Sequence, residues 1–262
     1  MSLRPSYVLS CAAIAAITFL TANPAAAETI NVVSPPEYEL SDAPDASLAA
    51  PDVPVRFQVI EAADVFTTEL EGVHFLSKIA TRPDAVVPVG SQVNFERLQI
   101  RVGVTSVDPA NMSDTFANNV TSPLTLVYDG PWSGSVTNPQ PAGDETRPFD
   151  YVFPFDTSFR YNPADGNLIV DWIVEGQTSD LVGNSSLTDV NFDYTGPQSW
   201  KWTLDRGAES PVGFGEFAIV TQYSFTPVPE PNTAALVALG GLVAGFAKRA
   251  RRKNCEGRMT NA

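Results

Sequence analysis

Apolar and polar residues alternate with a period of two in several segments of this chain. The longest run places Leu98, Ile100, Val102 and Val104 on one face of an extended segment, with more polar or small residues between them. Neighbouring side chains of a strand point to opposite faces, so this spacing is typical of a strand with one buried face. Similar alternation occurs over residues 55–59, 73–79, 168–174, 200–204 and 217–225. The pattern predicts a chain built mainly from β-strands.

Turn-forming residues separate the predicted strands, as in Asp129-Gly130-Pro131 and Thr195-Gly196-Pro197. Many short strands joined by such turns favour two packed antiparallel sheets. We therefore expect an all-β fold, an antiparallel β-sandwich of jelly-roll type, over residues 53–226. Residues 28–52 are rich in Pro, Ala, Ser and Asp. They are predicted to be a flexible lead-in with one edge strand, and residues 133–147 a long surface loop.

The predicted body, from Glu28 to Thr226, is strongly acidic. It holds 28 acidic and 9 basic residues, a formal net charge of −19, whereas the whole chain has −14. Nucleic-acid binding requires a basic surface that neutralises phosphates, so this composition argues against a nucleic-acid partner. A negative charge of this size is typical of an exported protein that must stay soluble.

Residue types that bind metals or act as nucleophiles are scarce in the body. The two cysteines, Cys11 and Cys255, lie outside it, so the body has no disulfide, cysteine nucleophile or thiolate metal site. His74 is the only histidine, and a zinc site or a Ser-His-Asp triad would have to use it. No catalytic signature accompanies His74, so we interpret it as a solvated strand residue. We expect no catalytic residue, metal or cofactor.

The N-terminus has the three parts of a secretory signal peptide. Arg4 precedes an apolar run over residues 7–20, and small residues lead to Ala25-Ala26-Ala27. A charged start, an apolar core and an A-x-A site predict a signal peptide over residues 1–27. We expect signal peptidase to cleave between Ala27 and Glu28.

The C-terminus combines a proline-rich linker, an apolar stretch over residues 234–247 and a basic cluster. A helix over the apolar stretch spans about 21 Å, less than the roughly 30 Å of a hydrocarbon core. Basic side chains can reach the interface from a short helix, and they favour the cytoplasmic side. The cluster consists of Lys248, Arg249, Arg251, Arg252 and Lys253. We predict one short transmembrane helix with the body outside.

This three-part arrangement over residues 227–254 resembles the PEP-CTERM sorting signal of Gram-negative bacteria. The resemblance implies that Pro229, Glu230 and Pro231 are recognised by exosortase, a membrane enzyme that processes and sorts its substrates. It also implies that residues 234–247 span the membrane and that the basic cluster stops transfer. Exosortase genes occur in bacteria that make extracellular polysaccharide and biofilm. A further pattern in the body, including Tyr161-Asn162-Pro163, is similar to other exported PEP-CTERM proteins and implies no activity.

Carboxylates are the abundant candidates for catalysis. A glycosidase needs two that face each other, and the candidates are Asp150, Asp156, Asp171, Glu175, Asp189 and Asp193. Asp189, Asn191 and Asp193 also alternate like the first ligands of a calcium loop. Tyr194 and Trp200 stand where an EF-hand requires glycine and glutamate, so we interpret the segment as a polar loop and leave an irregular calcium site open.

Tryptophan side chains are candidates for stacking on sugar rings. Trp132 follows Gly130-Pro131 in a predicted turn, so we expect it to be exposed and take it as the candidate ligand-binding residue. Trp172, Trp200 and Trp202 lie on apolar strand faces and are predicted to pack in the core.

These observations lead to the hypothesis of a non-enzymatic, structural or adhesive protein of the cell surface or extracellular matrix. Its predicted partners are signal peptidase and exosortase during export, extracellular polysaccharide afterwards, and the membrane through its C-terminal helix before processing. Two alternatives stay open. One is a carbohydrate-binding module, with or without calcium, and the other is a glycoside hydrolase or lyase with two facing carboxylates.

Overall fold

The computed structural model describes residues 28–48, 54–139, 146–179, 187–192, 194–203, 213–215 and 218–228. Within these ranges the chain is mostly antiparallel strands, with one short α-helix, α1 (Asp64–Thr67), and four single 3₁₀ turns. This confirms the predicted all-β fold. The strands are β1 (Ile30–Ser34), β2 (Asp45–Leu48), β3 (Val55–Glu61), β4 (His74–Thr81), β5 (Gln92–Thr105), β6 (Thr125–Ser135), β7 (Tyr151–Tyr161), β8 (Asn167–Ser179), β9 (Leu187–Asn191), β10 (Gln198–Thr203), β11 (Gly213–Gly215), β12 (Ala218–Ile219) and β13 (Thr221–Pro227).

A four-stranded antiparallel sheet has the order β1-β13-β4-β7. β13 therefore lies in the interior of the sheet, with β1 on one side and β4 on the other. Ile30 of β1 lies opposite Phe225, and His74 of β4 lies opposite Pro227. The last strand of the body is thus hydrogen-bonded along both of its edges.

A six-stranded antiparallel sheet has the order β11-β10-β3-β8-β5-β6. β8 lies near its middle and is buried on both faces. Val170 and Trp172 face the core, while Ile169 and Asp171 are buried on the opposite face. Part of that outer face is covered by the segment after β5, where Met112 packs with Ile169.

The four-stranded and six-stranded sheets pack against each other through one hydrophobic core. The predicted inward residues of β5, such as Leu98 and Ile100, are fully buried in it together with Leu76 from the other sheet. α1 adds Phe66, whose ring makes edge contacts with three aromatic rings at centroid distances of 5.4, 5.4 and 5.6 Å. Those rings belong to Tyr161, Tyr223 and Phe225.

A three-stranded sheet with the order β12-β9-β2 completes the described strands. Its strand β2 and the edge strand β1 both come from residues 28–52, which we expected to be a flexible lead-in with one edge strand. The difference arises because β1 and β2 pair with β13 and β9, which lie more than 130 residues further along the chain. Local composition carries no information about partners so distant.

The sequence Asp129-Gly130-Pro131, which we expected to form a turn, lies inside β6. β6 is an edge strand of the six-stranded sheet, where a proline can turn its missing N–H away from the neighbouring strand. Two register shifts interrupt its pairing with β5, one of them between Phe95 and Leu98. The predicted loop over residues 133–147 accordingly starts only after Ser135.

The predicted signal peptide and C-terminal helix lie outside the described residues. Within the described ranges, no helix is both long enough and apolar enough to span a membrane. The described residues begin at Glu28, the first residue of the predicted body, and end at Val228, two residues after its predicted last residue, Thr226.

Candidate functional site

The body joins its C-terminal segment at the end of β13. Thr226 pairs with Phe75 and Pro227 with His74, so the ladder to β4 extends to the last residue of the strand. Phe225 is fully buried two residues before that end. In the sequence, Pro229-Glu230-Pro231 begins two residues after Pro227. β13 therefore ends one residue before the candidate sorting residues.

The N-terminal end of the body lies at the same end of the four-stranded sheet as the C-terminal end of β13. β1 and β13 are antiparallel, and Ile30 lies opposite Phe225. The chain before Ile30 and the chain after Phe225 therefore leave the sheet in the same direction. Glu28 is exposed there, next to the predicted signal-cleavage bond, and Ala27 lies outside the described residues.

A buried carboxylate, Glu61, lies between the two large sheets. It accepts hydrogen bonds from the Ser34 hydroxyl at 2.6 Å, from the Tyr223 hydroxyl at 2.7 Å and from the Gln198 side-chain amide. Burial raises the pKa of Glu61 to about 7, although these three donors act in the opposite direction. Gln198 in turn accepts a hydrogen bond from Trp200 Nε1 at 2.7 Å. This polar cluster links β1 and β13 to β3 and β10.

The outer face of the six-stranded sheet carries a connected row of polar side chains, which we call the charged face. It consists of Arg56, Arg97, Gln99, Arg101, Asp129 and Asp171. At its exposed end, Arg97 binds both oxygens of Asp129, at 2.7 and 2.8 Å, and Gln99 donates to the same carboxylate at 2.8 Å. The hydrogen bonds from Arg97 lower the pKa of Asp129 to about 2.

At its other end the charged face is buried. Arg56 binds both oxygens of Asp171, at 2.9 and 3.1 Å, and Asp171 is almost fully shielded from solvent. The Arg56 guanidinium also lies 4.8 Å from the centre of the Phe116 ring. Arg101 connects the two ends, since it donates to Gln99 and lies 3.7 Å from Asp171. The arginines of this face are thus interleaved with carboxylates.

Residues 227–253 match the family described as the PEP-CTERM protein-sorting motif. The chain carries a PEP-CTERM sorting motif. The match confirms the resemblance drawn from the sequence, and it is consistent with an exported exosortase substrate that is anchored in the membrane before cleavage. A comparison with curated proteins found no match.

The structure describes the PEP-CTERM motif only at its first two residues, Pro227 and Val228. Its predicted recognition residues Pro229, Glu230 and Pro231 lie outside the described residues, as do the basic residues Lys248, Arg249, Arg251, Arg252 and Lys253. The individual roles assigned to these residues stay predictions.

Trp132, the candidate ligand-binding aromatic, is only 7% exposed. Its ring stacks between Phe95 and Phe153 at centroid distances of 4.9 and 4.4 Å, and its Nε1 donates to the Val152 carbonyl at 2.8 Å. The expectation that Trp132 is exposed is wrong, because β6 continues through Gly130-Pro131 and turns residue 132 inward. A ring in this position cannot stack on a sugar.

The other tryptophans follow the prediction more closely. Trp172 and Trp200 are buried, and Phe57 stacks against both rings at centroid distances of 5.5 and 5.1 Å. The core positions predicted for these two residues are confirmed, while Trp202 is half-buried.

His74 lies in a strand, as predicted, but it is buried rather than solvated, with 6% exposure. It is the first residue of β4 and lies between Tyr161 of β7 and Pro227 of β13. Neighbouring strands on both sides therefore shield it from solvent. Within the part of the chain that the structure describes, its Nδ1 has no hydrogen-bond partner.

Three of the six carboxylates proposed for catalysis, Asp150, Asp171 and Asp189, are engaged by donors of the body itself. Asp150 accepts hydrogen bonds from the backbone amides of Thr137 and Asn138 at 2.9 and 3.0 Å. Asp189 binds Arg82 Nε at 2.9 Å and the Ala43 amide at 2.8 Å. Burial raises the pKa of Asp189, and the Arg82 guanidinium opposes that rise.

The segment Asp189–Asp193, interpreted as a polar loop with an irregular calcium site left open, is described only in part, because Asp193 lies outside the described residues. Asp189 is committed to Arg82, and the Asn191 amide donates to the Tyr38 hydroxyl at 2.6 Å. Among the described residues, no group of three or more His, Cys, Asp or Glu side chains is placed to hold a metal ion.

Sequence reasoning missed the Glu61 cluster and the Arg82–Asp189 ion pair. A signal for Glu61 was present, because residue 61 continues the alternation of Val55, Phe57 and Val59 and so falls on the core face. An acid at such a position needs buried donors. Arg82 lies beyond the end of an apolar strand, and nothing in the local sequence shows its burial.

Proposed function

We propose that this chain is a non-enzymatic protein of structural or adhesive type, held at the cell surface or in an extracellular matrix rich in polysaccharide. The observation that carries the proposal is the PEP-CTERM motif, joined directly to an interior strand of the body. A tether attached through a strand that is paired on both edges suits a protein that must keep its fold under load. We also propose that the two large sheets together form a jelly-roll-like β-sandwich.

The engagement of the carboxylates supports the non-enzymatic part of the proposal. Asp150, Asp171 and Asp189 hold backbone amides or arginines in place, so their oxygens serve the fold. An open surface depression of about 460 Å³ lies beside the end of β7. Asp165 is the only carboxylate among the described residues that line it, whereas a glycosidase needs two facing carboxylates.

The charged face is the surface that we propose for contact with a matrix partner. The side chains of Arg97, Arg101 and Asp129 are 46%, 36% and 31% exposed. Because cations and carboxylates alternate, the face offers donors and acceptors without a strong field of one sign. Such a face suits a neutral partner rich in hydroxyl groups, which can donate to carboxylates and accept from guanidinium groups.

Sorting is tested by replacing Pro229, Glu230 and Pro231 with alanine in the full chain. The wild-type chain is expected in the surface and matrix fractions, and the triple variant is expected to accumulate as an unprocessed membrane form. Normal processing and surface delivery of the variant would contradict the assigned role of these three residues. Loss of matrix cohesion or attachment in cells lacking the chain supports the structural or adhesive role.

A carbohydrate-binding module is the second candidate, and the exposed end of the charged face favours it. Glycan-array binding of residues 28–228, with and without calcium, tests it. Binding that is lost in R97A/Q99A and kept in R160A, a change at an exposed arginine of the other sheet, would support a glycan site on the charged face. Equal binding by both variants would place the glycan elsewhere.

A further inference from the structure

We propose that exosortase processes this protein in its folded state, so that the four-stranded sheet sets Val228 as the first residue the enzyme can engage. This inference rests on the proposed sorting by exosortase. It adds the conformation of the substrate and the boundary between the protected and the accessible chain.

The pairing of β13 on both edges carries the inference. On one edge Ser34 to Ile30 lie opposite Thr221 to Phe225, and on the other edge the ladder to β4 continues to Pro227. A processing enzyme binds its substrate as an extended, unpaired segment, and proteolysis accordingly concentrates in exposed, unpaired chain. Residues 221–227 are therefore protected as long as the sheet is closed.

Burial of the β13 side chains strengthens this protection. Tyr223 and Phe225 are buried in the core, and both rings make edge contacts with Phe66 of α1. The Tyr223 hydroxyl also donates to Glu61 across the core. Withdrawal of β13 would break two ladders and expose both rings and the Glu61 carboxylate, which amounts to unfolding this part of the body.

The positions of the two chain ends allow the body to fold while both predicted membrane segments are still attached. The chain before Ile30 and the chain after Phe225 leave the same end of the sheet in the same direction. Five residues lie between Val228 and Ala234, the start of the apolar stretch, and six residue steps of fully extended chain cover at most about 20 Å. A membrane span that begins at Ala234, as predicted, would therefore keep the folded body within about 20 Å of the membrane.

Processing beyond Val228 breaks one peptide bond. The carbonyl carbon stays with the body and passes to water or to an amine acceptor, while the amide nitrogen takes up a proton and leaves with the membrane segment. The body that remains keeps all of β13 and its contacts.

An insertion and a deletion of equal length provide the first test, in cells that hold exosortase and the full chain. Three residues added between Val228 and Pro229 lengthen the accessible chain, and processing is expected to stay within about twofold of the wild-type rate. Deletion of Thr226, Pro227 and Val228 draws the motif against the sheet, and processing is expected to fall at least tenfold. Proteolytic resistance of the two bodies checks that both variants fold. Wild-type processing of a folded deletion variant would overturn the proposal.

A cross-link provides the second test. Asn31 and Ser224 are paired across β1 and β13, and the Ser224 hydroxyl lies 2.6 Å from the Asn31 amide oxygen, so N31C/S224C places two cysteines at disulfide distance. The variant C255S removes the remaining cysteine beyond the signal peptide. The oxidised chain, with β1 and β13 locked together, is expected to be processed at the wild-type rate and to end at or after Val228 by mass spectrometry.

The matched control is N94C/S133C, which links β5 to β6 away from the junction. Failure of processing in the N31C/S224C chain alone, or a body that ends before Val228, would overturn the folded-substrate proposal. Surface delivery of the wild-type chain in the same cells reports separately on sorting, because its loss would contradict the proposed function itself.

Discussion

The Tyr223 hydroxyl donates a 2.7 Å hydrogen bond to the Glu61 carboxylate across the core, and so ties the last strand of the body to the six-stranded sheet. Both side chains are buried, and Ser34 of the first strand donates to the same carboxylate. Burial raises the pKa of Glu61 to about 7 and the pKa of Tyr223 well above its usual range. Glu61 is therefore the group through which pH acts on this connection.

The first prediction concerns E61Q and pH. The folded pKa of Glu61, about 7, lies above its ordinary value of 4.5, so its stabilising contribution is complete below about pH 4.5 and is lost as the pH rises through 7. The free energy of unfolding is expected to fall by on the order of 3 kcal/mol over this pH range. Urea unfolding of residues 28–228 between pH 4.5 and 8 should show this fall for wild type, and E61Q should lack that component. The same slope in E61Q would contradict the assignment, and E71Q, at an exposed glutamate, is the control.

The second prediction compares the two carboxylates of the charged face. D171N should destabilise the body by about 3 kcal/mol, because it weakens a buried pair and leaves Arg56 without its counter-charge. D129N should cost much less, since its pair with Arg97 is exposed and screened by salt. Urea unfolding of both variants at low and high salt checks the difference. Equal losses would show that Asp171 is not the buried anchor of this face.

The third prediction concerns the Arg82–Asp189 pair. Both side chains are shielded from solvent, and Arg82 also donates to the carbonyls of Tyr38 and Ser41 at 2.6 and 3.0 Å. R82M should cost about 3–5 kcal/mol, because it leaves the Asp189 charge buried without its partner. The double variant R82M/D189L should lose less than R82M, since it removes both charges. A double variant that is less stable than R82M would contradict this account.

The fourth prediction concerns Trp132. W132A should destabilise the body by about 3–5 kcal/mol, because it empties the space between Phe95 and Phe153. W132F should lose less, since it keeps an aromatic ring and gives up the hydrogen bond to Val152. Thermal unfolding measures both. If W132A kept wild-type stability and instead lost binding to a glycan, the side chain would have to be exposed.

Periodicity in the sequence was sufficient for the strands whose two faces differ strongly. Leu98, Ile100 and Val102 alternate with polar residues, and all three are fully buried as predicted. It failed at Gly130-Pro131, because the same residues that make a turn are tolerated in an edge strand, and only the pairing with β5 distinguishes the two cases. Because of this error we expected Trp132 on the surface, whereas it lies in the core. His74 was misjudged for a related reason, since its burial depends on β7 and β13, which are remote in sequence.

The strand-rich character of the body and the sorting motif over residues 227–253 can be read from the amino-acid sequence, because both depend on residue types at short, fixed spacings. Three relationships required the folded structure: the last strand lies between β1 and β4, Glu61 joins that strand to the opposite sheet, and the chain at Glu28 and the chain at Val228 leave the same end of the sheet. These relationships join residues far apart along the chain. Their register follows from which apolar faces pack together in three dimensions, and that information is spread over the whole sequence.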